Sequence, residues 1–251
     1  MAAARMEYDA VVFYGRLGQQ ALAMFNMEQE LPRWRGARLL DCPGGPGSLS
    51  ALARAAGIEA TAVDPLYDLS PVQLEQRALQ DLDTTLATMA GSPSLRPDFD
   101  LQVCRQEHLQ ALQAFLADRR AHPECYVAAS LPRLPFADAS FDLVVCGHLL
   151  FSYAPLEQGG LMSGEGLDLA WHRLALAELC RVSRQVVRLY PAHTIERVAR
   201  RHPYAEALLA QLPSGWRGRF ASSRYDQGHE GCNDALELER RPPDQEAGAP
   251  A

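Results

Sequence analysis

The sequence has no lysine: its 24 basic residues are all arginine, set against 31 acids, for a formal net charge of −7. Schiff-base or general-base chemistry that depends on a lysine amine is therefore excluded. The acidic balance also argues against a protein that grips nucleic acid mainly through its phosphates. A CxxC pair is missing too. The cysteines at 42, 104, 125, 146, 180 and 232 are scattered, which suits reduced thiols and not a disulfide framework. His229-Glu230-Gly231-Cys232 comes nearest to a metal motif, but no second pair has the matching spacing, so no metal is expected. No stretch approaches the roughly 20 apolar residues of a membrane span. The opening MAAARMEYDA has no apolar core of signal-peptide length. The expectation is a cytoplasmic chain without membrane or nucleic-acid partners. Hydrophobic content of 47% over 251 residues suits one α/β domain with a full core.

What is present is organised around Arg38 to Pro65, RLLDCPGGPGSLSALARAAGIEATAVDP. Arg38 to Asp41 reads as a short strand, and Cys42-Pro43-Gly44-Gly45-Pro46-Gly47 as a turn whose glycines let backbone approach a ligand closely. Ser48 is placed as an N-cap, Ala51 to Ala56 as a helix, and Gly57 as its stop. Ala60 to Val63 is a second strand with Asp64 at its carboxyl end. Ligands bind at that end of an open α/β sheet, and a carboxylate there can take both hydroxyls of a ribose. An ordinary βαβ unit without a ligand is the plainer alternative.

Around this unit, Met1 to Met6 reads as a frayed start. Leu17 to Glu28 is a helix that packs one apolar face or serves as a lid, with Tyr14 and Arg16 near the ligand. Two helices, Pro71 to Ala90 and Leu101 to Arg120, make an added layer where an ordinary crossover needs one. Tyr126 to Ala129 and Phe141 to Cys146 are strands, the latter continuously apolar as in a buried parallel position. The glycine-rich segment 155–166 reads as mobile and beside the site. Leu167 to Arg181 is a helix, Gln185 to Tyr190 a strand, and Thr194 to Leu212 helical despite Pro203. Arg219 to Tyr225 and Ala235 to Glu239 form a terminal hairpin. The tail 241–251 is proline-rich, polar and expected to be disordered.

Three motifs occur in order: the turn with Asp64 after it, the run LPRLPFADASFDLVVCGHLLF, and AELCRVSRQVVRLYP leading into the hairpin. Together they resemble the class I S-adenosylmethionine-dependent methyltransferases over about Ala37 to Arg240, and within them bacterial small-molecule methyltransferase-like proteins of undefined substrate. The resemblance implies a Rossmann-like three-layer α/β sandwich. Its seven-stranded sheet would be ordered 3-2-1-4-5-7-6, the last strand antiparallel, with extra helices between strands 2 and 3. Residues 1–240 would form one methyltransferase-like domain, with 1–36 a helical lid and 66–122 a helical insertion. S-adenosylmethionine is the implied cofactor. Asp41 would lie near its methionine amino group, and backbone from Pro43 through Gly44 and Gly45 to Gly47 would pass the sulfonium. Asp64 would take the ribose, and Pro65 and Leu66 would lie against adenine. Ser130 stands where many relatives carry an acid for the adenine amino group, and the Leu131 N–H would serve the ring. Cys146 would line the methionine side.

Two positions depart from that pattern. Pro43 replaces the first glycine of the turn, fixing φ and supplying no N–H. Ser130 replaces the acid but keeps a donor and an acceptor. Methyl transfer needs positioning and exclusion of water, and a base only where the acceptor loses a proton. His148, leaving the fourth strand beside the expected methyl group, is the candidate base, its alternative role being structural. His172, in a helix, reads as a surface or packing residue. The resulting expectation is a methyltransferase acting on an unidentified small molecule. One alternative is a non-catalytic S-adenosylmethionine-binding protein. Another is an NAD(P)-dependent oxidoreductase, since Gly45-x-Gly47-x-x-Ser50 imitates a dinucleotide fingerprint.

Overall fold

In the computed structural model, residues 5–164 and 166–242 are described. Among the described residues nine strands are formed: β1 Arg38–Asp41, β2 Glu59–Val63, β3 Tyr126–Val127, β4 Phe141–Gly147, β5 Ser183–Tyr190, β6 Val198–Ala199, β7 Trp216–Ser222, β8 Glu230–Gly231 and β9 Asp234–Arg240. The helices are α1 Gly18–Met24, α2 Leu49–Ala55, α3 Pro71–Met89, α4 Leu101–Ala121, α5 Leu169–Val182 and α6 Pro203–Ala210. Seven strands make the main sheet in the order β3-β2-β1-β4-β5-β9-β7, while β6 and β8 form a separate two-residue ladder. Strands β1 to β5 pair in parallel, and β9 runs antiparallel between β5 and β7. With the small ladder set aside, this is the order 3-2-1-4-5-7-6 of the class I methyltransferase fold.

Side-chain alternation explains the unbroken apolar runs. Leu39, Leu143, Val145 and Val186 pack with α1 and α2 on one face, whereas Leu40, Val144, Cys146, Val187 and Leu189 pack with α5 and α6 on the other. Successive side chains leave a strand on opposite faces, so a strand covered on both sides must be apolar at every position. The α3–α4 layer forms its own cluster, in which Phe115 lies 5.8 Å from Tyr67, 5.5 Å from Tyr126 and 6.2 Å from Phe13. Burying that ring stabilises the layer by about 1.5–3 kcal/mol. Both helices are capped by their own sequence. Ser70 Oγ accepts from Gln73 N within a capping box, and Asp100 Oδ1 accepts from Gln102 N and Val103 N.

Several expectations change in three dimensions. The helix expected over 194–212 is only α6, beginning at Pro203. Proline suits a first helical position, and His202 before it is extended, at φ −75° and ψ 130°. The first helix stops at Met24 because Asn26 turns the chain at φ +53°, with Met27 N donating to Leu22 O at 2.8 Å. Ser48 does not cap α2 with its side chain; its Oγ accepts from Gly18 N at 2.8 Å, tying α1 to α2. The strand expected to reach Ala129 ends at Val127. Met6 is 5% exposed and packs with Leu95 and Ile195, so the start expected to be frayed is anchored at that residue. Residues 1–4 and 243–251, on which the rest of the frayed-start and disordered-tail expectations fall, lie outside the described residues.

Candidate functional site

A cavity of about 400 Å³ opens at the carboxyl ends of β1, β2 and β4, within the size range of small-molecule pockets. The turn after β1 forms one wall and is braced from behind. Cys42 N donates to Val145 O at 3.0 Å, Gly44 N to Val63 O at 2.8 Å, and the Tyr67 hydroxyl to Gly45 O at 2.7 Å. A Cβ on Gly44 would stand 2.6 Å from the Tyr67 hydroxyl and 2.9 Å from Ala62 Cβ, so this glycine is required by the protein's own packing. Gly44 therefore spends its N–H inside the fold, and Pro43 has none to offer.

Asp64 follows β2 and caps the short turn of helix Pro65–Asp68, its Oδ1 accepting from Leu66 N at 2.9 Å. It is 7% exposed and has no cationic partner among the described residues. Burial raises its carboxyl to about 6, against the lowering effect of the backbone donors at Leu66 and Gly45. A buried carboxylate beside a turn, without a cation, is suited to hydroxyl donors. Across the cavity, Leu131 is buried and Ser130 is exposed at the rim.

The segment before α1 crosses the turn. Ser48 N donates to Arg16 O at 3.0 Å, and a Cβ on Gly15 would lie 2.2 Å from the Pro46 carbonyl carbon, so only glycine lets the two backbones meet. This contact delivers Tyr14 and Arg16 to the cavity wall. Arg16 Nε donates to the Tyr225 hydroxyl at 3.2 Å, and its guanidinium lies 5.2 Å from the Tyr14 ring centre and 5.9 Å from that of Tyr225. No carboxylate is within ion-pair distance of Arg16 among the described residues, and its terminal nitrogens have no protein partner there.

The structure thus gathers Tyr14, Arg16, Pro43, Gly44, Gly45, Asp64, Pro65, Leu66, Ser130, Leu131 and His148 around one cavity. Asp41, Gly47 and Cys146 are not at its wall. Asp41 lies within β1 at 6% exposure, where burial, with the neighbouring Asp64 second, lifts its carboxyl to about 7. Gly47 leaves room for the Arg16 backbone. Cys146 faces the α5 side, because alternation along β4 brings Gly147 and His148 to the cavity in its place. His148 takes φ +53° as the chain leaves β4, and its N–H donates to Tyr190 O at 2.6 Å. Its ring stands edge-on to Tyr190 at 5.4 Å, and burial holds it far below the usual histidine range, hence neutral. His172 is a buried brace: its Nδ1–H donates to Asp168 O at 2.7 Å and its Nε2 accepts from Phe151 N at 2.8 Å.

Sequence reasoning missed His108 and Cys104 of α4 and Tyr225 and Gln227 of the hairpin connection, and it weighed His229 only as half a metal site. All five line the cavity. A signal for His108 was present: Cys104, His108, Ala111, Leu112 and Phe115 fall on one buried helix stripe, and a histidine there is out of place. The glycine-rich segment expected to be mobile is tied down over its described residues 155–164. Tyr8 N donates to Leu161 O at 2.9 Å and Ser163 N to Tyr8 O at 3.0 Å, which sets Leu161 and Tyr8 in the wall. Among the described residues, no three of histidine, cysteine, aspartate and glutamate are placed to hold a metal ion, and no helix is long and apolar enough to cross a membrane.

No family model matches the chain. The uncharacterized protein MJ0045 of Methanocaldococcus jannaschii is 23% identical over 186 residues, which span 72% of this chain and 77% of that protein. Among solved structures, the chain is similar to the 1,6-didemethyltoxoflavin-N1-methyltransferase of Burkholderia thailandensis, at 13% identity and TM-score 0.46 over 88% of this chain and 77% of that one. It is similar also to the magnesium protoporphyrin IX methyltransferase of Synechocystis, at 14% identity and TM-score 0.45 over 89% and 83%. Both were solved with S-adenosylhomocysteine. At such TM-scores these likenesses decide nothing about function, and the fold class stands on the strand order and register above.

Proposed function

We propose that this chain binds S-adenosylmethionine in the cavity and transfers its methyl group to a small molecule. The observation that carries the reading is the pairing of Asp64, buried and without an ion-pair partner among the described residues, with the braced turn at the carboxyl end of a sheet in methyltransferase order. The residues present fit the group. Asp64 would accept from the ribose hydroxyls, and Pro65, Leu66 and Leu131 would bound the adenine, with Ser130 at the rim. Arg16, a cation beside the turn whose terminal nitrogens have no protein partner among the described residues, would meet the methionine carboxylate. S-adenosylmethionine supplies a methyl on a sulfonium, which passes to the acceptor's lone pair and leaves S-adenosylhomocysteine.

The chain's own contribution is to hold the acceptor in line and keep water out. Where the acceptor is O–H or N–H, its proton must leave. His148, neutral and at the end of β4, is our candidate to take it. A histidine held below its ordinary range is a weaker base, so it accepts only as the acceptor's acidity rises during attack.

Calorimetry with S-adenosylmethionine and S-adenosylhomocysteine tests the reading. Saturable binding is expected, with Asp64→Ala weakening it by about 10- to 100-fold through the loss of hydrogen bonds to a charged partner, about 1.5–3 kcal/mol. Absence of saturable binding of either compound sinks it. Binding of NAD in their place would revive the oxidoreductase alternative, and binding without S-adenosylhomocysteine release in the presence of acceptors would favour a binding module.

A further inference from the structure

Six cavity-lining residues carry a buried side-chain atom that has no hydrogen-bond partner among the described residues: Nε2 of His108, His148 and His229, Oγ of Ser152, Oγ1 of Thr85 and Oε1 of Gln227. Buried polar groups in folded proteins are paired as a rule. A concentration of unpaired ones around a single cavity therefore points to an occupant that hydrogen-bonds there.

The protonation of two imidazoles follows from their other nitrogens. His108 Nδ1 lies 2.6 Å from Cys104 O and His229 Nδ1 lies 2.7 Å from Ser94 O. A carbonyl oxygen only accepts, so each Nδ1 carries the proton and each Nε2 is left as a bare lone pair. Burial keeps both rings neutral, lowering His108 to about 3 and His229 below its ordinary value. His108 is itself 6% exposed and lies against Tyr14 at a ring separation of 4.0 Å, which fixes its direction.

Much of the rest of the chamber is apolar, with Met6, Phe99, Leu161, Trp171 and Ile195 in its wall. Asp64, at the turn, is the one acid among the described lining residues, so nothing at the histidine end balances a cation. Of the two lining cations, Arg77 is tied to Asp81 at 2.8 Å, and Arg16, between the turn and Tyr14, is near enough to lower His108 and is the cation that the cofactor's carboxylate would take.

We infer that the histidine end of the cavity selects a neutral, largely apolar molecule that presents O–H or N–H groups to the Nε2 lone pairs of His108 and His229. Its description as the methyl acceptor rests on the S-adenosylmethionine reading; the chemistry of the chamber does not.

The test uses the full chain and four probes of one shape: 2-naphthol, 2-methoxynaphthalene, 2-naphthoate and 2-naphthylmethylammonium. Affinities are measured by calorimetry, with and without S-adenosylhomocysteine. We expect 2-naphthol to bind about 10-fold or more tighter than its methyl ether, the change expected when a buried acceptor loses its donor, and tighter than either charged probe. His108→Phe and His229→Phe should each shrink the naphthol-to-ether ratio, and His108→Gln, which keeps an acceptor, should restore part of it. Equal binding of naphthol and ether, tighter binding of a charged probe, or no naphthol binding in the wild-type chain overturns the inference without any variant having to fold. Failure of S-adenosylhomocysteine to bind is a separate result. It removes the cofactor reading, while the probe series on the free protein still decides the chamber's chemistry.

Discussion

The hydroxyl of Tyr67 donates to the carbonyl oxygen of Gly45 at 2.7 Å, and that hydroxyl leaves no room for a Cβ on Gly44. One side chain from the helix after β2 thus holds the turn after β1 from behind. Tyr67 is 4% exposed, and its ring stacks on Phe115, so the brace is anchored in the α3–α4 layer. Tyr67→Phe keeps the ring and removes the hydroxyl. It should cost about 1 kcal/mol of stability in a urea melt and weaken S-adenosylhomocysteine binding severalfold. Gly44→Ala should do worse on both counts, because backbone or Tyr67 must move. Unchanged binding in both variants would show that the turn's position is set elsewhere.

Arg16 offers a test that separates the two ends of the cofactor. Its terminal nitrogens have no protein partner among the described residues, and its Nε is held by Tyr225. Arg16→Met should weaken S-adenosylhomocysteine by about 10-fold or more, the loss expected for a charge-assisted pair. It should leave 5′-methylthioadenosine, which lacks the amino-acid portion, within about twofold. Equal losses for the two ligands would mean that Arg16 organises the cavity and does not contact the carboxylate.

Asp41 has a consequence for pH dependence. Its folded carboxyl stands at about 7, raised by burial and then by Asp64, whereas an unfolded aspartate titrates near 3.9. A raised folded value means that the folded state holds its proton more tightly. That contribution is complete below the unfolded value and is lost as pH rises toward about 7. Asp41→Asn should therefore gain stability relative to the wild type as pH rises from about 4 to about 7, with a flat difference above that. The buried histidines act oppositely in the same window, since burial lowers His108 and His202 to about 3 and His172 and His193 to about 4. They are common to both proteins and cancel in the difference. Denaturant melts of the pair across this range check it; parallel curves would place the Asp41 carboxyl near its ordinary value.

The reach of sequence reasoning follows the range of the forces involved. Strands β1, β2 and β4 and helices α3 and α4 were legible nearly to the residue. Apolar period and proline and glycine punctuation are local signals, and neighbours along the chain settle them; the caps that the structure shows at Ser70 and Asp100 are local as well. Asp64 was legible for the same reason, since the end of a parallel strand is a place that sequence can mark. The helix expected over 194–212 failed where two local signals competed and Pro203 set the start. The role of Ser48 was decided by Gly18, a partner 30 residues away.

By itself, then, the sequence determined strands β1, β2 and β4 and the acid and turn at their carboxyl edge, because these are written in short-range pattern, while the order of the sheet came from the family resemblance. Only the tertiary structure decided which atoms face the cavity. Alternation along β4 turned Cys146 into the core and brought His148 to the wall. The close contact of Gly15 with Pro46 delivered Arg16. The packing of α4 and the hairpin set His108 and His229, 121 positions apart in the chain by their numbers, around one space. Side-chain direction at such sites depends on which surfaces meet, and that is a property of the folded chain as a whole.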